Sequence, residues 1–426
     1  MISTNMSVFS ESKVNMFFED YSIFDDHDDL TLSDVIGQNL CKISSNTDTV
    51  FQMLRCIADK IRIVKDTKHG DYYYPLYFDY RLFFTYHNIR SQIYKLPSRV
   101  IQDLHDNQAK ILCINTAEGY DLELWKKVIA EQILNPYNLS YNHVVILSAT
   151  VDTGFHCDID NIYHNLWETK TSEYFTYDSQ ILEKCLEKLY YDQNKDHKFI
   201  CLLRKPQPYR LVLYSNLYLY KNKGILTCGP LHSGEKNDLE DVQKIRQAKK
   251  LFPSQQNNVL IGIRSTIPRI YDADLSDQNM HLANPTLGDT NIKKYIDSHI
   301  HIVAETYFDR NTTGVFFSEK TFKPMIFLQP FVLFGQPGSL TELRRQGYKT
   351  FEPFIDESYD QILDHEKRFQ AALNEVKRLI SLSNQELIEM QHQLIHVLLH
   401  NYYHIKNISV KKSKKLYKDL QKAIRK

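Results

Sequence analysis

The chain has no long apolar run, few glycines and prolines, and no excess of charge of either sign. Its 426 residues include only 13 glycines and 13 prolines. No stretch of about 18 apolar residues is present, so the sequence predicts no membrane-spanning helix. Because 52 Lys and Arg balance 52 Asp and Glu, no global field attracts nucleic acid or membranes. Any basic site must therefore be local.

The seven cysteines form no CxxC pair, and several lie in apolar runs typical of strands. This pattern favours buried free thiols in a reducing compartment over a disulfide or metal framework. The first residues, MISTNMSVFSESK, lack a basic region followed by an apolar core. We therefore expect no signal peptide and a cytoplasmic location.

Short apolar strands alternate with helices from residue 110 onward. Strands are predicted at residues 110–115, 143–148, 198–203, 223–229, 299–304 and 331–334. Amphipathic helices are predicted between them, and a long amphipathic helix is predicted over residues 361–404. This alternation predicts an α/β fold with parallel strands.

The length of the chain is too great for one ordinary core, so we expect two domains. An N-terminal extension (residues 1–105) would be part of the first domain or packed on it. A Rossmann-like domain would cover residues 106–195, and a second one residues 196–380, with a polar insertion at 230–290. Residues 381–426 would form C-terminal helices and a basic tail.

The most informative segment is SEKTFKP, residues 318–324, which precedes a buried strand that ends in glycine. Its carboxylate, Glu319, can accept hydrogen bonds from ribose or sugar hydroxyls. Its ammonium groups, Lys320 and Lys323, can neutralise a diphosphate. An ordinary surface turn is the alternative interpretation.

Charged residues also follow two other predicted strands. Arg204, Lys205 and Arg210 come after strand 198–203, at the start of a helix, where cations and backbone N–H groups together can bind phosphate. Glu305 follows strand 299–304. Ligands of open α/β sheets bind at the carboxyl ends of strands, so these residues belong to one candidate site. A solvated basic turn and a helix-capping carboxylate are the alternatives.

The run VAETYFDRNTTGVFFSEKTFKPMIFLQPFVLFG resembles the donor-site motif of fucosyltransferase-like glycosyltransferases, in which a strand ending in Glu is followed by Glu-Lys, a helix and a strand ending in Gly. The segment KFICLLRKPQPYR is similar to the basic loop that binds the nucleotide diphosphate in that family. The pattern EKTFKP, QPF and DESYD resembles phage and bacterial proteins of uncertain acceptor. The chain has Thr306 where the family usually has Asn.

The resemblance implies a GT-B-like glycosyltransferase of hexosyl or fucosyl type, with two Rossmann-like domains and a nucleotide-sugar substrate. It implies no cofactor and no metal. The donor would be bound mainly by the C-terminal half. The candidate donor-binding residues are Arg204, Lys205, Arg210, Glu305, Ser318, Glu319, Lys320, Thr321 and Lys323.

An inverting transfer also needs a general base for the acceptor hydroxyl. We expect it in the N-terminal half, with Glu118 as the first choice and Asp152 as the alternative. The acceptor could be a glycan, a protein side chain or a modified nucleic-acid base. Two other functions stay open: a non-catalytic nucleotide- or sugar-binding protein on the same fold, and a host- or partner-interaction protein that uses residues 1–105 and the tail.

Two further patterns lie near the end of the sequence. His392, His396, His400 and His404 recur at helical spacing, which favours a polar helix face over a zinc site. The basic tail, residues 406–426, interleaves lysines with apolar residues. It could contact an anionic membrane surface, although a solvated terminal helix is the favoured interpretation.

Overall fold

The structure is a computed structural model of an α/β protein. It describes residues 13–16, 53–64, 70–77, 94–116, 122–152, 159–174, 180–192, 195–203, 207–228, 238–255, 292–308 and 314–426. The chain divides into two compact units: unit 1 comprises Met1–Leu166 and Val410–Lys426, and unit 2 comprises Trp167–Ser409. The predicted domain division near residues 105, 195 and 380 stays a prediction, as does the GT-B arrangement.

Unit 1 contains a parallel sheet. The strands described in this unit are β1 (Val14–Met16), β2 (Ile61–Ile63), β3 (Tyr72–Tyr77), β4 (Ala109–Asn115), β5 (Val144–Ser148), β6 (Thr150–Asp152) and β7 (Asp160–Tyr163). Six of them pair in the order β2-β1-β3-β4-β5-β7, and every pair is parallel. The apolar runs of β4 and β5 are buried throughout their central residues, as expected for parallel strands covered on both faces. Parallel pairing, predicted from the sequence, is confirmed.

Unit 2 contains a second parallel sheet. Its described strands are β8 (His197–Leu203), β9 (Gly224–Cys228), β10 (Ser298–Ala304), β11 (Gly314–Phe316) and β12 (Phe331–Phe334). Four of them pair in the order β12-β10-β8-β9, again all parallel. The chain runs from β8 outward to β9 and then returns to β10 and β12 on the other side. The strand order therefore reverses between β8 and β10.

This reversal is a topological switch point, where the connections that leave two neighbouring strands diverge and open a crevice at the carboxyl edge. Leu203 ends β8 and Ala304 ends β10. Residues 204–210 and Glu305 follow these strands in the sequence. The topology thus brings Arg210 and Glu305, which follow these two strands, to the same edge of the sheet.

The helices lie between the strands and after the second sheet. Those described are α1 (Ser98–His105), α2 (Leu122–Ile129), α3 (Leu166–Tyr174), α4 (Ile181–Glu187), α5 (Pro208–Leu217), α6 (Asp238–Leu251), α7 (Ile292–Ile296), α8 (Glu319–Ile326), α9 (Ser339–Arg345), α10 (His365–Ser381), α11 (Asn384–Gln393) and α12 (Ile395–Ile424). The single helix predicted over residues 361–404 is therefore three helices. Ser383 interrupts it by forming a capping box with Glu386, which starts α11 afresh.

The end of α12 contributes to the core of unit 1. Leu416, Leu420 and Ala423 are buried in a cluster with residues of β1, β3 and β4. The Tyr73 hydroxyl donates a hydrogen bond to the Leu420 carbonyl (2.8 Å). These residues occur on one face of the helix, three and four apart, so their burial follows from helical periodicity.

Candidate functional site

The start of α8 lies beyond the carboxyl end of β10. Ser318 is the N-cap, with an extended backbone, and its hydroxyl accepts a hydrogen bond from the Lys320 amide. Glu319 follows in the first turn, where a carboxylate is favoured by the helix dipole. Phe322, Met325 and Ile326 are buried and fix the helix against the core. The apolar half of the segment thus anchors a charged first turn.

The Glu305 carboxylate is buried and forms its hydrogen bonds with groups of the protein. It is 1% exposed. Its oxygens accept hydrogen bonds from the Thr306 amide (2.9 Å), the Ser318 amide (3.0 Å) and the Ser318 hydroxyl (2.8 Å), and also from the Thr321 hydroxyl. A carboxylate offers about four acceptor directions, so these donors fill it. Ser318 and Thr321, both predicted to contact the donor, are bonded to Glu305.

Arg210 fixes the backbone at the same strand end. It is 3% exposed, and its Nη2 donates to the carbonyls of Ala304 (3.0 Å) and Glu305 (2.6 Å). The hydroxyl of Tyr209 donates to the Glu305 carbonyl as well. The hydrogen bonds described for Arg210 are thus with protein groups, the two carbonyls and the Tyr209 hydroxyl (3.1 Å), and the diphosphate contact predicted for it stays a prediction.

Glu319 and Lys320 form the partly exposed charged pair of the site. The Lys320 ammonium lies 3.0 Å from Glu319 Oε1 and donates to the Ser318 hydroxyl at 3.0 Å. Their side chains keep 19% (Glu319) and 25% (Lys320) of their surface exposed. Burial acts to raise the pKa of Glu319, but Lys320 and Lys323 outweigh it and lower the pKa to about 2. Glu319 is therefore ionised at neutral pH and can accept hydrogen bonds.

A second helix start, that of α9, is stabilised in the same way as that of α8. The Asp360 carboxylate accepts hydrogen bonds from the amides of Leu340 (2.8 Å) and Thr341 (3.0 Å), and from the side chains of Thr341 and Gln361. Gly338, just before α9, has a left-handed φ of 77° and donates its amide to the Asp360 carbonyl (2.7 Å). Asp360 belongs to the DESYD segment, whose role here is to cap a helix.

The structure does not test the roles predicted for the remaining candidate residues. Arg204, Lys205 and Glu118 lie outside the described residues. Asp152 is in β6, and its side chain also lies outside what the structure describes. Lys323 is 3% exposed, in the last turn of α8, so only a small part of it faces solvent. All of these assignments stay predictions.

The histidine stripe has structural partners. His400 Nε2 contacts the Gly347 carbonyl (2.8 Å) and His404 Nε2 the Gln346 carbonyl (3.1 Å), both at the end of α9. His392 contacts the Leu189 carbonyl (3.0 Å) and stacks on Tyr190. Within the described ranges, no three His, Cys, Asp or Glu side chains come together as a possible metal-ion set. His392, His400 and His404 thus pack through polar contacts with backbone carbonyls, whereas His396 is exposed.

Leu416, Leu420 and Ala423 of the basic tail are buried in the core of unit 1, whereas Val410 is exposed, so these three residues do not present an apolar face to a membrane. A membrane contact by this segment stays a prediction. Among the described residues, no helix combines the length and the hydropathy that crossing a bilayer requires.

Two residues with a supporting role were missed by the sequence interpretation. Tyr209 stacks on Phe308 (ring centroids 5.0 Å apart) and bonds the Glu305 carbonyl. Its position beside Arg210 at the start of a helix could have indicated it. Asp360 follows α9 in the sequence instead of preceding it. No local capping pattern could therefore have identified it.

Comparisons with known proteins assign no family. No protein-family model and no curated protein matches the chain. A glycosyltransferase from Rickettsia africae ESF-5 is 13% identical over 92% of this chain and 87% of its own, with a TM-score of 0.33. The N-terminal domain of trehalose-6-phosphate phosphatase from Candida albicans is 12% identical over 82% and 70%, with a TM-score of 0.37. At these TM-scores neither likeness carries an argument about this chain.

Proposed function

We propose that the protein is a glycosyltransferase that binds a nucleotide sugar at the switch point of unit 2. The observation that carries the proposal is the partly exposed Glu319–Lys320 pair, which starts the helix that follows β10 and β11. It belongs to the edge of a parallel sheet where ligands of such folds bind. The resemblance to fucosyltransferase-like enzymes, stated above from the same residues, supports the choice of a nucleotide sugar.

In this proposal Lys320 contacts the donor diphosphate and Glu319 accepts a hydrogen bond from a ribose or sugar hydroxyl. Arg204 and Lys205, which follow β8 in the sequence, would add positive charge on the other side of the switch point. The start of α5, whose N-cap residue Gln207 makes no side-chain capping hydrogen bond, would add the favourable helix dipole to anion binding. Lys323 would add to the local positive charge.

The proposed reaction is transfer of a hexosyl or fucosyl group to a hydroxyl acceptor. The acceptor oxygen attacks the anomeric carbon, and its proton passes to a carboxylate, proposed to be Glu118 or Asp152. The bond from the anomeric carbon to the diphosphate oxygen breaks, and the diphosphate leaves with the electron pair. Protein cations, without a bound metal, would stabilise the charge that develops on the leaving group.

Isothermal titration calorimetry with GDP-fucose, GDP-mannose, UDP-glucose and UDP-galactose tests the donor site. We expect one of these to bind, and Lys320→Ala to weaken its binding about tenfold or more, because a charge-assisted contact to phosphate is lost. Lys367→Ala is the matched control, since it removes an exposed lysine from the first turn of another helix, α10.

The proposal is wrong if the wild-type protein binds none of the four, or if both lysine variants bind alike. Incubation of the bound sugar nucleotide without acceptor separates an enzyme from a binding protein. Slow release of free sugar is expected of a transferase, because water can take the place of the acceptor.

A further inference from the structure

We infer that Glu305 is a positioning residue: its carboxylate fixes the start of α8, and thereby the place of the Glu319–Lys320 pair, and does not itself contact the donor. The inference rests on the proposed function for the ligand involved. It differs from the role that the family resemblance implied, in which Glu305 contacts the ribose or sugar.

The Glu305 carboxylate has no acceptor capacity left for a ligand. It is 1% exposed, and it accepts four hydrogen bonds from Thr306, Ser318 and Thr321. A sugar hydroxyl could reach it only by displacing one of these donors. Leaving such a buried donor unsatisfied is more costly than one new hydrogen bond is favourable.

Ser318 links Glu305 to Lys320 through its hydroxyl group. A serine hydroxyl has one proton, and here that proton is donated to Glu305 Oε2 at 2.8 Å. The lone pairs of the same oxygen are thereby directed toward its other partners, the Lys320 amide (3.4 Å) and the Lys320 ammonium (3.0 Å). The carboxylate thus sets both the cap of α8 and the orientation of the lysine side chain.

The backbone of Glu305 is itself fixed from the other side of the switch point. Its carbonyl accepts hydrogen bonds from Tyr209 and Arg210, in the first turn of α5. Arg210 and Tyr209 are 3% and 1% exposed, so these bonds are shielded from water. Glu305 therefore joins the start of α5 through its backbone to the start of α8 through its side chain.

Asp360 provides a matched control. It is also a buried carboxylate that caps a helix of unit 2 with hydrogen bonds to two backbone amides and to side chains. Its helix, α9, carries no cation in its first turn. A general loss of capping would affect Glu305→Gln and Asp360→Asn alike, whereas positioning of Lys320 is specific to Glu305.

The experiment combines hydrogen exchange by mass spectrometry with calorimetry, on the full chain. Glu305→Gln is expected to speed exchange in the peptide covering α8, and Asp360→Asn in the peptide covering α9. Glu305→Gln is expected to weaken binding of the sugar nucleotide found above about tenfold, and Asp360→Asn less than about twofold. In the double variant with Lys320→Ala, Glu305→Gln should add little further loss, because both changes act through one lysine.

Unchanged exchange in α8, or full additivity of Glu305→Gln with Lys320→Ala, would overturn the inference. Should Glu305→Gln fail to fold, Thr321→Val replaces it, since it removes one donor while leaving the carboxylate. Positioning predicts weaker binding for Thr321→Val, whereas direct contact predicts equal or stronger binding. If the wild-type protein binds no sugar nucleotide, the proposed function fails, and the exchange data alone decide whether Glu305 fixes α8.

Discussion

The starts of α8 and α9 are built alike and differ in what their first turns carry. Each is held by a buried carboxylate: Asp360 accepts two amides of α9, whereas Glu305 accepts the amide of Ser318, the N-cap of α8, and that of its own neighbour Thr306. The partners of Glu305 are largely buried, whereas Thr341 and Gln361, which bond Asp360, are exposed. Only α8, of these two, has a lysine in the first turn, and its Glu319–Lys320 pair is partly exposed.

In the proposed donor site, the residue that supports the helix start, Glu305, is thus separate from the residues that would contact a ligand, Glu319 and Lys320. An anion is favoured at any helix start by the helix dipole. In both helices the protein supplies that anion itself. A ligand at α8 would therefore meet the side chains of Glu319 and Lys320, while the amides capped by Glu305 remain occupied. At α9 a capping carboxylate is combined with a first turn that carries no lysine or arginine.

The largest expected effect is on stability, when each capping carboxylate is removed. Glu305→Ala would leave the buried donors of Ser318 and Thr321 without an acceptor, and we expect it to lower the free energy of unfolding by about 4 kcal/mol. Asp360→Ala should cost about 1.5 kcal/mol, because water can reach Thr341. Urea denaturation of both variants measures the difference. Equal losses would show that the exposure of the partners does not matter.

A smaller effect is expected from two arginines, Arg210 at the start of α5 and Arg344 in the last turn of α9. Arg210→Met removes a buried donor from the carbonyls of Ala304 and Glu305, and we expect a loss of about 2 kcal/mol. Arg344, which bonds Glu357, has 41% of its side chain exposed, so Arg344→Met should cost less than about 1 kcal/mol. Denaturation curves compare the two. A larger loss for Arg344→Met would contradict this order.

The smallest expected effect is on the pH dependence of stability, to which Glu319 and Glu357 should contribute in opposite directions. Glu319 has a pKa of about 2, below its ordinary 4.5, so its contribution to stability is present above pH 4.5 and is lost as the pH falls toward 2. Burial raises the pKa of Glu357 above 4.5, although the Phe351 amide, Thr350 and Arg344 act against this. Its contribution is present below pH 4.5 and is lost as the pH rises through the raised pKa.

Urea denaturation at several values between about pH 3 and pH 7 tests this pair of effects. The stability difference between wild type and Glu319→Gln should shrink as the pH falls. Glu357→Gln should gain stability relative to wild type as the pH rises. Two parallel profiles would show that these carboxylates do not have opposed pKa shifts.

Much of the fold was predictable because apolar runs and helical spacing are local signals. The strands predicted at residues 110–115, 198–203 and 299–304 match β4, β8 and β10 to within a residue at each end. The break of the predicted helix 361–404 was less visible, since Ser383 lies inside a continuous amphipathic pattern. Sheet order could not be predicted, because strand pairing depends on contacts far apart in sequence.

The proximity of two candidate residues was predictable, and their roles were less so. Charged residues at strand ends correctly indicated Glu305 and Arg210 as neighbours. Their side-chain partners depended on burial, which sequence spacing does not reveal. A fully buried carboxylate next to donors from Ser318 and Thr321 acts within the protein, whereas the same residue in an open crevice would face a ligand. Residue type alone cannot distinguish the two.

The position of α12 in the sequence limits when the core of unit 1 can form during synthesis. Its residues Leu416, Leu420 and Ala423 complete the core of unit 1, yet they are translated after the whole of unit 2. Domains of a growing chain usually fold from the N-terminus onward. Here the strands of unit 1 leave the ribosome with a gap in their core that only the distal part of α12 can fill. This part of the core of unit 1 can therefore be completed only after unit 2 has been synthesised.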